Sequence, residues 1–206
     1  MNDKKTIFLV DDEADLRKAL NRLLGAEGYA VAEFGSGEEF LAALPPNGAG
    51  CVLLDVAMPG IDGLEAQRQM AARGSTLPVV FLTAQGGLPE SVRAVKAGAV
   101  DFLAKPVKRD DLMRAIDAAF VQLRQSEDEE RQRKLLAHRV ARLTPREREV
   151  FEHVISGRTN RLIAESLGTA EQTIKVHRGR VMEKLEAESV ADLVRLAALL
   201  GIAPAA

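Results

Sequence analysis

Several features that mark particular classes of protein are missing from this chain. It has one cysteine, Cys51, in 206 residues, which excludes an internal disulfide and fits a reducing compartment. Its three histidines, at positions 138, 153 and 177, are scattered along the chain. No apolar run approaches the roughly 20 residues that a membrane-spanning helix needs, and the first residues lack the apolar core of a signal peptide. We therefore expect a cytoplasmic protein with no membrane partner.

The composition is that of a globular protein, but the charge is unevenly distributed. Hydrophobic residues make up 47% of the chain and charged residues 28%, which is an ordinary balance for globular proteins. Residues 1–125 carry a net charge of −3, residues 126–137 a charge of −1 and residues 138–206 a charge of +2. A chain of this length has room for one or two domains. The charge difference favours two domains with different partners.

The first part of the chain alternates between strand and helix patterns. Apolar runs predict strands at 6–10, 30–34, 51–54, 79–82 and 101–103, and helical patterns cover 14–26, 37–44, 63–73, 89–97 and a stretch from about Arg109. Several strands show no polar alternation, as expected when helices cover both faces of a sheet. This repeated β-α order predicts a doubly wound parallel sheet.

Polar residues stand where the predicted strands end, and in a parallel sheet those ends lie at one edge. Three carboxylates brought together there would repel one another unless a cation lay between them. Mg²⁺ prefers oxygen ligands and suits such a site, and Asp55 could act as a nucleophile that forms an acyl phosphate. Lys105 would hold the transferring group. The residues at the strand ends are Asp11, Asp12, Asp55, Thr83 and Lys105.

The segments "LVDDE", "LLDVAMPGIDG", "LTA" and "AGAVDFLAKP" resemble the receiver domain of two-component response regulators. The resemblance implies a flavodoxin-like, five-stranded sheet in the order 2-1-3-4-5, with Mg²⁺ as cofactor. Asp55 matches the phosphoacceptor, and the metal ligands would be Asp11, Asp12, Asp55 and the backbone carbonyl of Ala57. The catalytic pair would be Asp55 and Lys105. The residues that match the phosphate-binding and switch positions are Thr83, Lys105 and Phe102, and Pro106 matches a proline that usually follows a cis peptide bond.

Two positions near the phosphoacceptor bear on how long a phosphoryl group would last. In the family, the residues at the positions of Ala57 and Gln85 flank the water that hydrolyses the acyl phosphate. The methyl group of Ala57 cannot orient that water, so we expect slow hydrolysis. An alternative reading, a Mg²⁺-dependent aspartyl-phosphate hydrolase, commonly uses a second Asp at the position of Ala57. A regulator that acts without phosphorylation is a further alternative.

A long helix is predicted between the two parts of the chain. Residues 107–144 contain no Gly or Pro, and Leu112, Ile116, Ala119 and Leu123 recur at helical spacing. The following "RQSEDEERQRK" is polar on all sides and has acid–base pairs at i,i+4 spacing, namely Glu127–Arg131, Glu129–Arg133 and Glu130–Lys134. This pattern favours an exposed helix that bridges two domains. A coiled coil is less favoured because its seam would be polar.

The last part of the chain predicts four helices with a helix-turn-helix arrangement. In "LTPREREV", Thr144 and Glu147 form a capping box with Pro145 at the first helical position. The third helix, "TAEQTIKVHRGRVMEKL", has cations on one side and apolar residues on the other. Such a helix can lie in the major groove of DNA. From spacing alone, a helical protein-interaction domain remains the alternative.

The segments "LTPREREV", "TIKVHR", "VMEKL" and "SVADLVRLA" are similar to the LuxR-type helix-turn-helix domain. The whole chain thus resembles the NarL/FixJ family of response regulators. This implies a transcription regulator, not an enzyme, whose partners are a sensor histidine kinase, promoter DNA and, when phosphorylated, a second copy of the chain. The expected boundaries are 1–123 for the receiver, 124–139 for a helical linker and 140–206 for the DNA-binding domain. The expected DNA contacts are Thr173, Lys175, Val176, Arg178 and Arg180.

Three departures from the family pattern lie around the third helix. Gly179 replaces a side chain that contacts DNA in many relatives, and a glycine there should cost about 1 kcal/mol of helix stability. Ala170 removes a usual cap, for which Thr169 and Gln172 are predicted to compensate with a capping box one residue earlier. Glu186 and Glu188 stand where relatives often have a glycine and a base.

Overall fold

The computed structural model describes residues 5–45, 49–84 and 98–205. The chain divides into two compact units, residues 1–127 and residues 128–206. The boundaries expected from the sequence, with the receiver ending at residue 123 and the helical linker at residue 139, remain predictions. The two units are described one after the other.

A five-stranded parallel sheet forms the centre of the first unit. Its strands are β1 (Thr6–Val10), β2 (Ala30–Phe34), β3 (Gly50–Asp55), β4 (Val79–Thr83) and β5 (Asp101–Ala104). They lie in the order β2-β1-β3-β4-β5, and each neighbouring pair is parallel. Strands β3 and β4 are buried along their whole length, which explains why they show no polar alternation. The predicted fold class and strand order are confirmed.

Helices cover both faces of this sheet. They are α1 (Ala14–Ala26), α2 (Gly37–Ala43), α3 (Gly63–Ala72) and the first part of α4 (Arg109–Ala141). Leu24 of α1 and Ile116 of α4 pack on one face, while Phe40 of α2 and Met70 of α3 pack on the other. The predicted helix at 89–97 lies outside the described residues.

The register of the sheet brings the strand ends together. Val10 pairs with Leu54, and Asp55 pairs with Leu82. Thr83 pairs with Ala104 at the end of β5. Residues that follow β1, end β3 and follow β5 therefore lie at one edge of the sheet.

Helix α4 extends through the boundary between the two units. Its first half buries Leu112, Ile116 and Ala119 completely or nearly so, as the helical spacing predicts. In its polar half, the predicted pair Glu130–Lys134 forms at 3.4 Å. Arg131, however, pairs with Asp128 at 3.3 Å and not with Glu127, because i,i+3 residues are also neighbours on a helix.

Four helices follow in the second unit: α5 (Pro145–Ile155), α6 (Asn160–Ser166), α7 (Glu171–Leu185) and α8 (Val190–Leu200). Their apolar faces share one core that includes Phe151, Ile163, Ile174, Val181 and Leu193. The predicted capping boxes of Thr144 with Glu147 and of Ser189 with Asp192 are both present. The one predicted at Thr169 is wrong: α7 begins at Glu171, and its N-cap residue, Ala170, has no side-chain cap.

The C-terminal end of α7 has an unusual backbone and a salt bridge. Glu186 follows the helix in the left-handed region, with φ of 52°, a conformation that usually favours glycine. Its carboxylate lies 2.5 Å from the guanidinium of Arg139, in the last turn of α4. Lys184 also donates a hydrogen bond to the carbonyl of Arg142 at 3.3 Å. Two side chains from the end of α7 thus hold the end of α4.

Candidate functional site

Three aspartates meet at the edge of the sheet in the first unit. Asp11 is fully buried and Asp55 is 3% exposed, while Asp12 is exposed. Each offers a carboxylate oxygen, and these oxygens all lie within 4.8 Å of one another. The predicted convergence of the three acids is therefore present in the geometry.

The ammonium group of Lys105 lies in contact with two of these acids. Its Nζ atom lies 2.8 Å from Asp11 Oδ2, 2.9 Å from Glu13 Oε1 and 3.0 Å from Asp55 Oδ2. The lysine side chain is only 11% exposed. One ammonium group is thus shared among three carboxylates.

The pKa values of Asp55 and Lys105 reflect this crowding. Burial raises the pKa of the Asp55 carboxyl, and repulsion from Asp11 adds to this effect, against the lowering effect of the Lys105 hydrogen bond. Burial works against the charged form of Lys105, but hydrogen bonds from Asp11, Glu13 and Asp55 outweigh it and raise the pKa of the lysine. The lysine is therefore firmly charged, while the acids have more negative charge than it can neutralise.

The donor set fits a hard divalent cation. Apart from its ion pair with Lys105, the buried Asp11 Oδ2 atom has no hydrogen-bond partner among the described residues. A buried carboxylate oxygen with spare acceptor capacity is costly unless a further partner arrives. Mg²⁺ prefers oxygen ligands, and in proteins it is commonly held by one or two carboxylates while it keeps several waters. The fourth predicted ligand, the carbonyl of Ala57, stays a prediction.

The other predicted residues of this site lie beside the acids. Thr83 is 3% exposed at the end of β4, and its carbonyl accepts a hydrogen bond from the backbone of Lys105 at 2.6 Å. Phe102 lies on β5 with its ring 6.0 Å from that of Phe81. The Lys105–Pro106 peptide bond is cis, as the resemblance implies. Gln85 lies outside the described residues.

Glu13 is a member of the site that the sequence did not reveal. As a third consecutive acid it suggests only a favourable charge at the start of α1. In the structure Glu13 is the N-cap residue of α1, and its carboxylate contacts Lys105 at 2.9 Å. The two residues are 92 positions apart, so no local pattern could indicate the contact.

A second candidate site lies on helix α7 of the other unit. Ile174, Val181 and Leu185 are buried in the core, so the opposite side of the helix faces outward. Thr173, Lys175, Val176 and Arg180 are exposed there. This is the arrangement that the sequence predicts for a helix that contacts DNA.

Arg178 differs from the other predicted contacts on α7. It is half-buried, and its guanidinium donates a hydrogen bond to Asn160 Oδ1 at 2.9 Å. Asn160 is the first residue of α6. This contact joins the two helices of the predicted helix-turn-helix.

Comparison with known protein families gives a match for each unit. The model of the response regulator receiver domain matches residues 7–117. The model of bacterial regulatory proteins of the luxR family matches residues 141–197. The two matches follow one another without overlap, one on the sheet and one on the helices.

Individual proteins are similar along almost the whole chain. The transcriptional regulatory protein FixJ of Bradyrhizobium diazoefficiens is 43% identical over 98% of each chain. Nodulation protein W of the same organism is 39% identical over 97% of this chain and 88% of that protein. Among solved structures, the response regulator StyR matches with a TM-score of 0.76 and 39% identity, over 95% of this chain and 98% of that one. Full-length FixJ from B. japonicum matches with a TM-score of 0.59 and 43% identity, over 97% of this chain and 98% of that one.

Within the described parts of the chain, no helix is long and apolar enough to span a membrane.

Proposed function

The chain belongs to the NarL/FixJ family of response regulators, with a receiver domain and a LuxR-type DNA-binding domain, and from this we propose that phosphorylation of Asp55 controls its binding to promoter DNA. The observation that carries the proposal is the buried Asp55 carboxylate, which ends β3 beside two other aspartates and 3.0 Å from Lys105. A sensor histidine kinase supplies the phosphoryl group. Because the proposed partners are DNA and a sensor kinase, we propose that the protein acts in the cytoplasm.

The transfer step uses Asp55 as a nucleophile. A carboxylate oxygen of Asp55 forms a bond to the phosphorus of a phosphohistidine, the nitrogen–phosphorus bond breaks, and the departing imidazole takes a proton from solvent. Lys105 then holds an oxygen of the acyl phosphate in place of its carboxylate contact. When bound to Asp11, Asp12 and Asp55, Mg²⁺ would offset the negative charge that gathers on the transferring group.

The phosphoryl group changes the surface of the receiver through Thr83 and Phe102. The Thr83 hydroxyl moves toward the phosphoryl oxygens, and the half-buried Phe102 turns inward into the space this leaves. Strand β5, which carries Phe102, lies at the end of the sheet order. We propose that this change favours a homodimer that binds DNA.

Helix α7 contacts the DNA. Lys175 and Val176 face base edges in the major groove, and Thr173, Arg178 and Arg180 contact phosphates. The exposure of Lys175, Val176 and Arg180 supports these roles. The positive charge of residues 138–206 favours association with DNA.

Phosphoryl uptake is tested with acetyl phosphate and Mg²⁺ as the only reagents. We expect the protein to gain one phosphoryl group by mass spectrometry, and Asp55→Asn to gain none. If the wild-type protein takes up no phosphoryl group, the alternative of a regulator that acts without phosphorylation is favoured. Repeated turnover with release of phosphate from many substrates would instead favour the hydrolase, which Ala57 at the position of a second Asp argues against.

DNA contact is tested by two substitutions on α7. We expect Lys175→Ala to relax the preference at one base pair, with a loss of about 1–3 kcal/mol of specific binding. Arg178→Ala should weaken binding to all sequences alike and reduce its salt dependence. If neither variant changes affinity in an anisotropy titration, α7 does not contact DNA as proposed.

A further inference from the structure

Three cations on the outer side of α7 differ from several other cations of the second unit, which have acidic partners. Arg139, Arg146, Arg161, Lys184 and Arg195 each form an ion pair with a nearby acid. Lys175, Arg178 and Arg180 form no ion pair among the described residues. Their charges are therefore not neutralised within the domain.

Arg178 is nevertheless held in place, by a neutral group. Asn160 Oδ1 accepts one N–H of its guanidinium at 2.9 Å. An amide oxygen fixes the direction of a guanidinium without removing its positive charge, and the other N–H groups stay available as donors. An acidic residue at position 160 would hold the arginine as well but would neutralise it.

We propose that Asn160 is a positioning residue for DNA binding, which holds Arg178 ready to contact a phosphate group. The inference rests on the proposed function, since it assumes that Arg178 contacts the DNA backbone. An unrestrained arginine loses side-chain freedom when it binds, and that loss reduces affinity. The hydrogen bond to Asn160 already removes part of the side-chain freedom of Arg178 before the protein binds DNA. Asn160 acts from α6 and, in this role, needs no contact with a base.

The backbone at Asn160 suits both substitutions that the test requires. Asn160 is the first residue of α6, and the preceding Thr159 caps the helix by accepting a hydrogen bond from Leu162. Alanine is a good helix former, and aspartate at a helix N-terminus is favourable. Both variants should therefore fold, and Asn160→Asp should be at least as stable as the wild type.

The test measures affinity of the full-length protein for a mixed-sequence duplex at several salt concentrations, with and without acetyl phosphate. We expect Asn160→Ala to weaken binding roughly two- to tenfold, the cost of ordering one long side chain. Asn160→Asp should weaken it further despite its stability and should reduce the salt slope by about 0.9, the value for one phosphate contact. Asn21→Ala, which removes an amide hydrogen bond to Glu33 in the other unit, is the matched control and should leave binding unchanged.

A double-substitution cycle separates positioning from a general structural role. If Asn160 acts through Arg178, adding Asn160→Ala to Arg178→Ala produces no further loss of affinity. Equal losses in both backgrounds would overturn the inference, as would a normal affinity of Asn160→Ala when Arg178→Ala binds weakly. If Arg178→Ala itself binds normally, the phosphate contact within the proposed function is wrong and the inference falls with it. If the wild type does not bind duplex DNA in any condition, the proposed function fails.

Discussion

Asp55 in the first unit and Glu147 in the second are both buried carboxylates that contact a lysine, and the surroundings of these two acids differ. Asp55 shares the ammonium of Lys105 with two other acids, and burial raises its pKa. Glu147 is 2% exposed but accepts hydrogen bonds from Lys184 at 2.6 Å and from the backbone of Thr144 at 2.8 Å. Burial alone would raise the pKa of Glu147, and these donors overcome it and lower the pKa to about 2.

The contrast separates Glu147, which has enough hydrogen-bond donors for its charge, from Asp55, which shares one donor with two other acids. The groups that contact the Glu147 carboxylate are hydrogen-bond donors, namely the Lys184 ammonium and the Thr144 backbone N–H. The negative charge of Glu147 therefore stabilises the fold of the second unit. Asp55 has too few donors for the negative charge around it, so the first unit stands to gain stability from a bound cation. Burial of a carboxylate therefore does not by itself indicate function. The balance of donors against nearby acids is what distinguishes the two sites.

The largest expected effect on stability comes from removing the Glu147 carboxylate. Glu147→Ala removes the carboxylate partner of Lys184, which keeps its hydrogen bond to the carbonyl of Arg142. The substitution also breaks the capping box of α5. We expect the second unit to lose about 3 kcal/mol of stability, from the charged hydrogen bonds and the helix cap that Glu147 supplies. Denaturant unfolding monitored by circular dichroism measures this loss. Glu165→Ala, which breaks an exposed pair with Arg161, is the control and should cost less than about 1 kcal/mol.

The same acid should make the second unit sensitive to low pH. The folded-state pKa of Glu147 is about 2, below its ordinary value of 4.5, so its contribution is complete above the ordinary value. It is lost as the pH falls from there toward the folded-state pKa. We expect the free energy of unfolding to decrease across that interval in the wild type. A Glu147→Ala variant with an equally steep decrease would assign the acid sensitivity to other groups.

Removing a negative charge from the site formed by Asp11, Asp12 and Asp55 should stabilise the first unit, whereas removing Glu147 should destabilise the second. Asp12→Asn relieves repulsion, so we expect a higher metal-free melting temperature than in the wild type. Mg²⁺ at 100 times its dissociation constant should stabilise the wild type by roughly 2.7 kcal/mol and the variant much less. Thermal unfolding with and without Mg²⁺ measures both. An undiminished Mg²⁺ shift in Asp12→Asn contradicts the metal assignment.

The exposed rim of the acid site should set the lifetime of the phosphoryl group. Ala57 is exposed, and its backbone N–H lies 3.4 Å from Asp55 Oδ1. Because a methyl group cannot position water for hydrolysis, we expect Ala57→Asn to speed dephosphorylation roughly tenfold, about 1.4 kcal/mol in barrier height. Phosphoryl uptake should change little. Decay of the phosphorylated protein after donor removal tests this, and equal rates reject residue 57 as the timer.

The smallest expected effect concerns Gly179, where α7 is not optimised for stability. A methyl group at this position would meet no described atom within 4 Å other than its chain neighbours and the backbone of its own helix, so Gly179→Ala should stabilise α7 by about 1 kcal/mol. Thermal unfolding measures the gain. A loss of stability would show that the glycine serves a backbone geometry other than a regular helix.

Local patterns in the sequence predicted the strands and the convergence of most of the site residues, while the order of the strands was implied by the resemblance to receiver domains. Apolar runs mark the strands, and the parallel topology then brings Asp11, Asp55 and Lys105 to one edge. The contacts that the sequence did not reveal join residues far apart in the chain, such as Glu13 with Lys105 and Arg178 with Asn160. The capping box of Glu147 was predictable from spacing, but its contact with Lys184 was not. Side-chain partners of this kind depend on how helices pack, which no periodicity encodes.

The left-handed backbone at Glu186 has a consequence for anyone who redesigns this protein. Glycine is the usual replacement at such a position, because it removes a steric cost of roughly 1–2 kcal/mol. Here that replacement would also remove the carboxylate that holds Arg139 at the end of α4. A change that makes the helix end more regular would thus loosen the attachment of the connecting helix. Glu186 should therefore be kept, because its contact with Arg139 connects the ends of two helices.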